Sequence, residues 1–227
     1  MSGDGSARTI SELFRWGGRR VPQEEVAVPA ALVDEPVLPS MALPRFLAAL
    51  SGRPNPSLLD LGPVVGSNIT FFGERLGCKI FIEDLFLEID RLHRRGALDA
   101  LPAFIEAQFA GREASVDGVL CWDLFDHLDR AAAQALARQL VRTVKPGGPV
   151  LGLFGTTERR RLHYTKFVIV DEAKLRHRPY PAPEGSTRVF LSRDILRMFD
   201  GLEVVEQFLL KSKTREILFR KPSESRD

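Results

Sequence analysis

The chain has 227 residues, of which 44% are hydrophobic and 27% charged, and its formal net charge at pH 7 is +2. This composition excludes a disordered or fibrous chain, and the near balance of charge excludes a basic surface spread over the whole molecule. Nucleic-acid binding is therefore not favoured. The sequence contains no run of about 18 apolar residues that could span a membrane, and it does not start with the pattern of a secretory signal. We predict one large cytoplasmic domain without membrane attachment.

The first 41 residues differ in character from the rest. Residues 1–8 are small and polar and predict disorder, residues 10–20 predict a short amphipathic helix, and the prolines between residues 21 and 44 predict an extended connector. A folded domain is expected over residues 42–221, followed by a disordered tail at 222–227. Oligomeric state cannot be inferred from these features.

Short apolar segments alternate with helical segments from residue 42 onwards. Strands are predicted at 57–62, 79–82, 103–109, 116–122 and 150–154, and helices at 42–50, 68–76, 85–95 and 131–144. A hairpin inserted at 155–190 follows, then a helix at 194–199 and two β-rich segments at 204–210 and 216–219. The pattern predicts a doubly wound α/β domain, with a mostly parallel seven-stranded sheet, helices on both faces and an antiparallel C-terminal strand pair.

Polar residues and a glycine follow three of the predicted strands. Gly62 ends the first strand, Glu83 and Asp84 end the second, and Asp123 ends the strand at 116–122. Right-handed crossovers place the carboxyl ends of parallel strands at one edge, where ligands of such folds bind. We therefore expect these four residues to meet at a common rim.

The segment Asp60-Leu61-Gly62, continuing to Gly66, is typical of a ligand-binding loop between a strand and a helix. Backbone N–H groups at a helix start can bind a ligand, and an acid about twenty residues on can accept hydrogen bonds from a ribose. Spacing allows either Glu83 or Asp84, and we favour Asp84. An ordinary strand–helix turn and a helix cap ahead of residue 85 are the alternative interpretations.

These motifs resemble those of the class I S-adenosylmethionine-dependent methyltransferases, over residues 42–154. The likeness covers the glycine loop, the acidic end of the second strand, the strand Val116-Asp117-Gly118-Val119-Leu120-Cys121-Trp122-Asp123, and the turn Lys145-Pro146-Gly147-Gly148. The resemblance implies S-adenosylmethionine as cofactor and a last strand inserted between its neighbours. The cofactor-binding residues that it implies are Asp60, Gly62, Gly66, Glu83, Asp84, Gln108 and Asp123.

The sequence departs from the family pattern at several positions. Val64 stands where the family has its second loop glycine, and we expect its side chain to crowd the cofactor site. Pro63 removes a backbone donor, and Gln108 stands where an acid commonly faces the adenine amine. Phe125 occupies the place of a histidine base found in small-molecule O-methyltransferases. These departures predict cofactor binding that is weakened or repositioned.

Few residues are candidates for catalysis. His127 and Tyr164 are weak candidates for the proton acceptor. Cys78 and Cys121 predict buried structural thiols, and no metal site is expected, since the cysteines and histidines lack zinc-ligand spacing. The hairpin carries seven basic residues, which suggest either a lid over an anionic acceptor or a solvated face; they are Arg159, Arg160, Arg161, Lys166, Lys174, Arg176 and Arg178.

Taken together, the sequence predicts a methyltransferase that acts on an unidentified small-molecule or protein acceptor. A degenerate member of the fold, acting as a binding or scaffold module, is the main alternative. An NAD(P)-dependent reductase shares the loop and the following acid, but a Tyr-x-x-x-Lys pair does not occur.

Overall fold

The computed structural model describes residues 35–223, so the predicted helix at 10–20, most of the predicted connector and the last residues of the tail lie outside it. Its elements in chain order are β1 (Val37–Pro39), α1 (Leu43–Ser51), β2 (Ser57–Asp60), α2 (Gly66–Leu76), β3 (Lys79–Ile82), α3 (Leu85–Arg94), α4 (Leu101–Gln108), β4 (Gly118–Trp122), α5 (Arg130–Thr143), β5 (Pro149–Gly155), β6 (Arg160–Asp171), β7 (Lys174–Ser186), α6 (Ser192–Met198), β8 (Glu203–Leu209) and β9 (Thr214–Arg220). Short 3₁₀ turns precede α4 and follow β4.

Six strands form the main sheet in the order β3-β2-β4-β5-β9-β8. The pairs β3–β2, β2–β4 and β4–β5 are parallel, whereas β9 runs antiparallel to both β5 and β8. The last strand is therefore inserted between its neighbours, as the resemblance implied. The predicted α/β class and the antiparallel C-terminal pair are confirmed.

The prediction of a strand at 103–109 is wrong, because this segment forms most of α4 and the start of the loop after it. Leu101, Ile105 and Phe109 are buried at intervals of four residues, which places them on one helical face. Pro102 lies in the first turn of α4, where its missing N–H costs nothing. The main sheet thus has six strands within residues 35–223 rather than seven.

Helices cover both faces of this sheet, and strand residues alternate between two cores. Leu59, Val119 and Cys121 face the core formed with α3, α4, α5 and α6. Leu58 and Leu120 face the second core, which contains α1 and α2. Cys78 and Cys121 are both free and buried, as predicted.

The inserted hairpin lies within the predicted residues 155–190 and consists of β6 and β7. Together with β1 it forms a separate antiparallel sheet in the order β1-β7-β6, so residues 37–39 of the expected connector belong to the folded domain. Tyr164 of β6 packs in the core beside α3, whereas Phe167 and Ile169 pack in the core beside α2. The hairpin therefore crosses the carboxyl edge of the parallel strands from one face to the other.

Two side chains fasten the hairpin, one on each side of that edge. Asn68 of α2 donates from Nδ2 to the Phe167 carbonyl (2.8 Å) and accepts at Oδ1 from the Ile169 N–H (2.9 Å). On the other side, the Tyr164 hydroxyl donates to Asp90 Oδ1 of α3 (2.9 Å). Among residues 35–223, no helix has the length and apolar character that crossing a membrane requires.

Candidate functional site

The rim predicted from sequence exists at the carboxyl ends of three adjacent strands. Gly62 follows β2, Glu83 and Asp84 follow β3, and Asp123 follows β4, and β2 lies between the other two strands. The Glu83 N–H donates to the Asp60 carbonyl (2.8 Å), which joins the two strand ends directly. The order of the sheet therefore gathers residues that are up to 61 positions apart in the sequence.

Asp60 organises the loop that leaves β2. Its Oδ1 accepts hydrogen bonds from the Gly62 N–H (2.9 Å) and from the Trp122 indole Nε1 (2.6 Å). Burial raises the pKa of Asp60 to about 6, even though both hydrogen bonds favour the ionised form. The carboxyl group thus fastens the loop to the end of β4.

The two retained glycines of the loop have different surroundings. A Cβ at Gly62 would lie 2.7 Å from Trp122 Cδ1, so this glycine is needed for contact with the chain's own indole. A Cβ at Gly66, the first residue of α2, would meet nothing within 4 Å. Val64 is 42% exposed and does not have a positive φ, so this valine fits the loop without backbone strain, and the crowding of a bound cofactor stays a prediction.

The acids that follow β3 are engaged differently. Gln108, near the end of α4, donates from its amide to Glu83 Oε1 (2.7 Å), and Arg112 lies 3.7 Å from Glu83 Oε2. Asp84 caps α3 by accepting from the Phe86 N–H (3.2 Å). Burial raises the pKa of Asp84 to about 6. Asp84 therefore combines capping with a position at the rim, while Gln108 reaches the rim through Glu83 and not from a strand end.

The donor set beside β2 and β3 fits the adenosine part of a nucleoside cofactor. Asp84 supplies carboxylate oxygens, α2 begins without a side-chain cap, and the open space around Gly66 leaves its backbone accessible. Carboxylates and helix N-terminal N–H groups are the partners that ribose and polar cofactor groups take in such folds.

Trp122 dominates the β4 side of the rim. Its φ of +49° lies in the left-handed region, which costs a bulky residue roughly 1–3 kcal/mol. The Phe167 ring stacks on the indole at a centroid distance of 5.2 Å and an interplanar angle of 9°. The chain's own indole therefore lies against Gly62, and Phe167 covers the indole.

Polar groups without hydrogen-bond partners lie just beyond Trp122. Within residues 35–223, Asp123 Oδ1, Asp126 Oδ1 and His127 Nδ1 are buried and have no partner. His127 Nε2 lies 3.7 Å from Asp123 Oδ2, and its side chain is only 3% exposed. Asp126 Oδ2 accepts from the Gly155 N–H (2.8 Å), and burial together with the Asp123 charge raises the pKa of Asp126 to about 8.

The remaining catalytic candidates are packed residues. Tyr164 is fully buried with its hydroxyl on Asp90, and burial and this carboxylate raise its pKa. Its ring contacts His127 and Phe86 edge-on or tilted. Phe125 packs against Phe154 and Phe199, so its side chain belongs to the core and not to the rim.

Most of the basic hairpin residues bind groups of the chain itself. Arg161 is buried and donates to the Pro183 carbonyl, and Arg159 donates to the Ser212 carbonyl. Ion pairs also join Arg160 to Glu184, Lys174 to Asp171 and Arg178 to Glu35, and Lys166 lies over the Tyr180 ring. This pairing favours a solvated hairpin face over a lid dedicated to an anionic acceptor.

Sequence reasoning missed four residues that define the covered rim: Trp122, Phe167, Asn68 and Asp126. A polar asparagine on the apolar face of α2 was the one available signal for the hairpin anchor, because a buried amide needs partners. The stacking of Trp122 on Phe167 joins segments 45 residues apart and had no local signal.

Solved structures share this fold. The PH0226 protein from Pyrococcus horikoshii OT3 aligns with a TM-score of 0.50 and 12% identity, over 79% of this chain and 88% of its own. An S-adenosylmethionine-dependent methyltransferase from Clostridium acetobutylicum ATCC 824 aligns with a TM-score of 0.50 and 12% identity, over 80% of this chain and 91% of its own.

The chain has the class I methyltransferase fold. No protein-family model matches the sequence, and a search of curated protein sequences gives no significant match. At 12% identity the structural likeness establishes the fold alone.

Proposed function

We propose that the domain is a methyltransferase that binds S-adenosylmethionine at the rim and acts on a small-molecule or protein acceptor. The observation that carries the proposal is the meeting of Gly62, Asp84 and Asp123 at adjacent strand ends of a methyltransferase fold. The cofactor supplies a methyl group on a positively charged sulfur, which is already activated for displacement. The protein then has to position the acceptor and take up a proton.

The residues divide this work between the two sides of the rim. Asp84, with Glu83 beside it, would accept hydrogen bonds from the ribose, and the start of α2 at Gly66 would provide backbone donors. Asp60 holds the intervening loop in place through the Gly62 N–H. Gln108 supports the site by orienting Glu83.

His127 is the proposed proton acceptor on the β4 side. Asp123 lies 3.7 Å from its Nε2, and His127 Nδ1 has no hydrogen-bond partner within the described residues. A neutral imidazole with one unpartnered nitrogen can accept a proton, and the neighbouring carboxylate stabilises the resulting charge. Tyr164 is assigned to fastening the hairpin, since its hydroxyl is committed to Asp90.

A non-catalytic binding module is the second candidate. It is favoured by one observation, the indole of Trp122 lying over Gly62 beneath the hairpin. A nicotinamide-dependent reductase has less support, since the Tyr-x-x-x-Lys pair does not occur in the sequence.

Thermal unfolding with S-adenosylhomocysteine tests the proposal. At a concentration of 100 Kd, we expect the demethylated product to add about 2.7 kcal/mol to stability and to raise the Tm by roughly 5–10 °C. NADH should give no shift.

Asp84→Asn should lose most of the gain in Tm with S-adenosylhomocysteine while keeping the α3 cap, because asparagine caps as well as aspartate. Asp200→Asn, at an exposed position, is the matched control. A shift with NADH alone supports a reductase, and no shift with either ligand supports the binding module.

The Val64→Gly variant tests the part that the loop plays. Because Val64 is exposed and its φ is not positive, we expect the affinity for S-adenosylhomocysteine to stay within about threefold of the wild-type value, well under 1 kcal/mol. Titration calorimetry measures the difference. A tenfold gain in affinity would show that the valine does crowd the bound ligand.

A further inference from the structure

Trp122 is held in place more firmly than a core residue requires. Its backbone is in the left-handed region, its Nε1 donates to Asp60, and its Cδ1 lies against Gly62, where any side chain would clash. A strained backbone at a bulky residue persists only where its surroundings impose it, and such residues cluster at ligand sites. These constraints hold the indole in one fixed orientation at the end of β4.

The indole is covered by a ring of the second sheet, with which it shares a core. Phe167 stacks nearly parallel to the indole, and it is carried by β6 of the hairpin that crosses the rim. Offset parallel stacking is a geometry that planar aromatic rings favour with each other, including rings of ligands. The phenyl group therefore occupies a position that a planar ligand could take if the hairpin moved aside.

The position of Trp122 indicates which ligand would reach it. Glu83 and Asp84 end β3, and Trp122 ends β4, two strand spacings or about 10 Å away across β2. Under the proposed function, the ribose-binding acids bind the nucleoside on the β3 side. The β4 side, which also carries Asp123 and His127, is then left for the acceptor.

The covered rim also leaves polar groups without partners. Asp123 Oδ1, Asp126 Oδ1 and His127 Nδ1 are buried and unpartnered within residues 35–223. Buried polar atoms without hydrogen bonds disfavour the state that buries them. Opening of the hairpin would expose them to water or to polar substituents of a bound ring.

We propose that Trp122 is the stacking platform for a planar aromatic methyl acceptor, and that the β6–β7 hairpin is a lid whose Phe167 ring covers the platform until the acceptor displaces it. This inference rests on the proposed methyltransferase function for the assignment of the ring to the acceptor. The stacking itself is independent of that function.

Fluorescence of Trp122 tests the platform. The chain has two tryptophans, so Trp16→Phe leaves Trp122 as the single reporter. Phenol and 4-hydroxybenzoate are titrated as aromatic probes and cyclohexanol as the non-aromatic probe, each with and without saturating S-adenosylhomocysteine. We expect saturable quenching by the aromatic probes alone. Phe167→Ala should tighten their binding about tenfold by removing the competing ring, whereas Phe208→Ala, in the same core, should leave it unchanged.

The outcomes separate the platform from the function. Saturable aromatic quenching that Phe167→Ala strengthens supports the platform, and binding of S-adenosylhomocysteine in calorimetry supports the methyltransferase separately. Absence of aromatic quenching in both backgrounds overturns the platform even if the nucleoside binds. Quenching by S-adenosylhomocysteine with none by the aromatic probes overturns the acceptor assignment, since the ring on Trp122 would then be adenine.

Discussion

Replacing Asn68 with alanine is expected to lower stability by about 2–4 kcal/mol and the Tm by roughly 5–12 °C. The amide side chain donates to the Phe167 carbonyl and accepts from the Ile169 N–H, which are two backbone groups of β6 in the hairpin. Alanine leaves a buried acceptor and a buried donor without partners, so the cost of removing each group from water is no longer offset by a hydrogen bond. Calorimetric or circular-dichroism melting measures the loss, and amide exchange along β6 and β7 should rise with it.

Two variants of the same helix serve as controls for Asn68→Ala. Asn68→Asp keeps an acceptor for the Ile169 N–H but loses the donor to Phe167, so an intermediate Tm is expected. Thr70→Ala removes an exposed side chain of α2 and should change the Tm by only about 1 °C. If Asn68→Ala has the same Tm as Thr70→Ala, Asn68 does not fasten the hairpin to the domain.

The rim could be predicted from sequence because it depends on local pattern and on general rules of chain connection. Short apolar segments that end in Gly62, Asp84 and Asp123 alternate with helices, and right-handed crossovers bring such ends together. The order of the sheet confirms this arrangement. The role of Asp60 in cofactor binding stays a prediction; its side chain accepts from the loop N–H of Gly62, a contact that the sequence did not predict.

The cover of the rim could not be predicted, because it depends on contacts between distant segments. Spacing could not show that Phe167 would stack on Trp122, nor that the indole would take a left-handed backbone. The segment 103–109 was assigned wrongly for a related reason. A run of seven residues with scattered apolar positions fits a strand or a helix, and packing of Leu101 and Ile105 against the sheet decides between them.

The polar groups under the hairpin make the stability of the domain depend on pH. Asp60, Asp84 and Asp126 all have raised pKa values in the folded state, mainly because burial disfavours the charged carboxylate. Each group binds its proton more tightly in the folded chain than in the unfolded chain. Stability must therefore fall as pH rises from the unfolded pKa to the folded pKa of each group. Asp126 spans the widest interval, from 3.8 to about 8.

Asp126→Asn is expected to stabilise the domain increasingly as pH rises from 4 to 8. Over this interval the folded wild-type chain keeps a proton that the unfolded chain has released, which costs up to about 1.4 kcal/mol per pH unit. Asparagine still accepts from the Gly155 N–H but does not titrate. The variant should match the wild type near pH 4 and exceed its Tm by roughly 5 °C or more at pH 8. Melting curves across the interval measure the difference, with Asp200→Asn as the exposed control. A difference between Asp126→Asn and wild type that is constant with pH would mean that folding does not raise the pKa of Asp126.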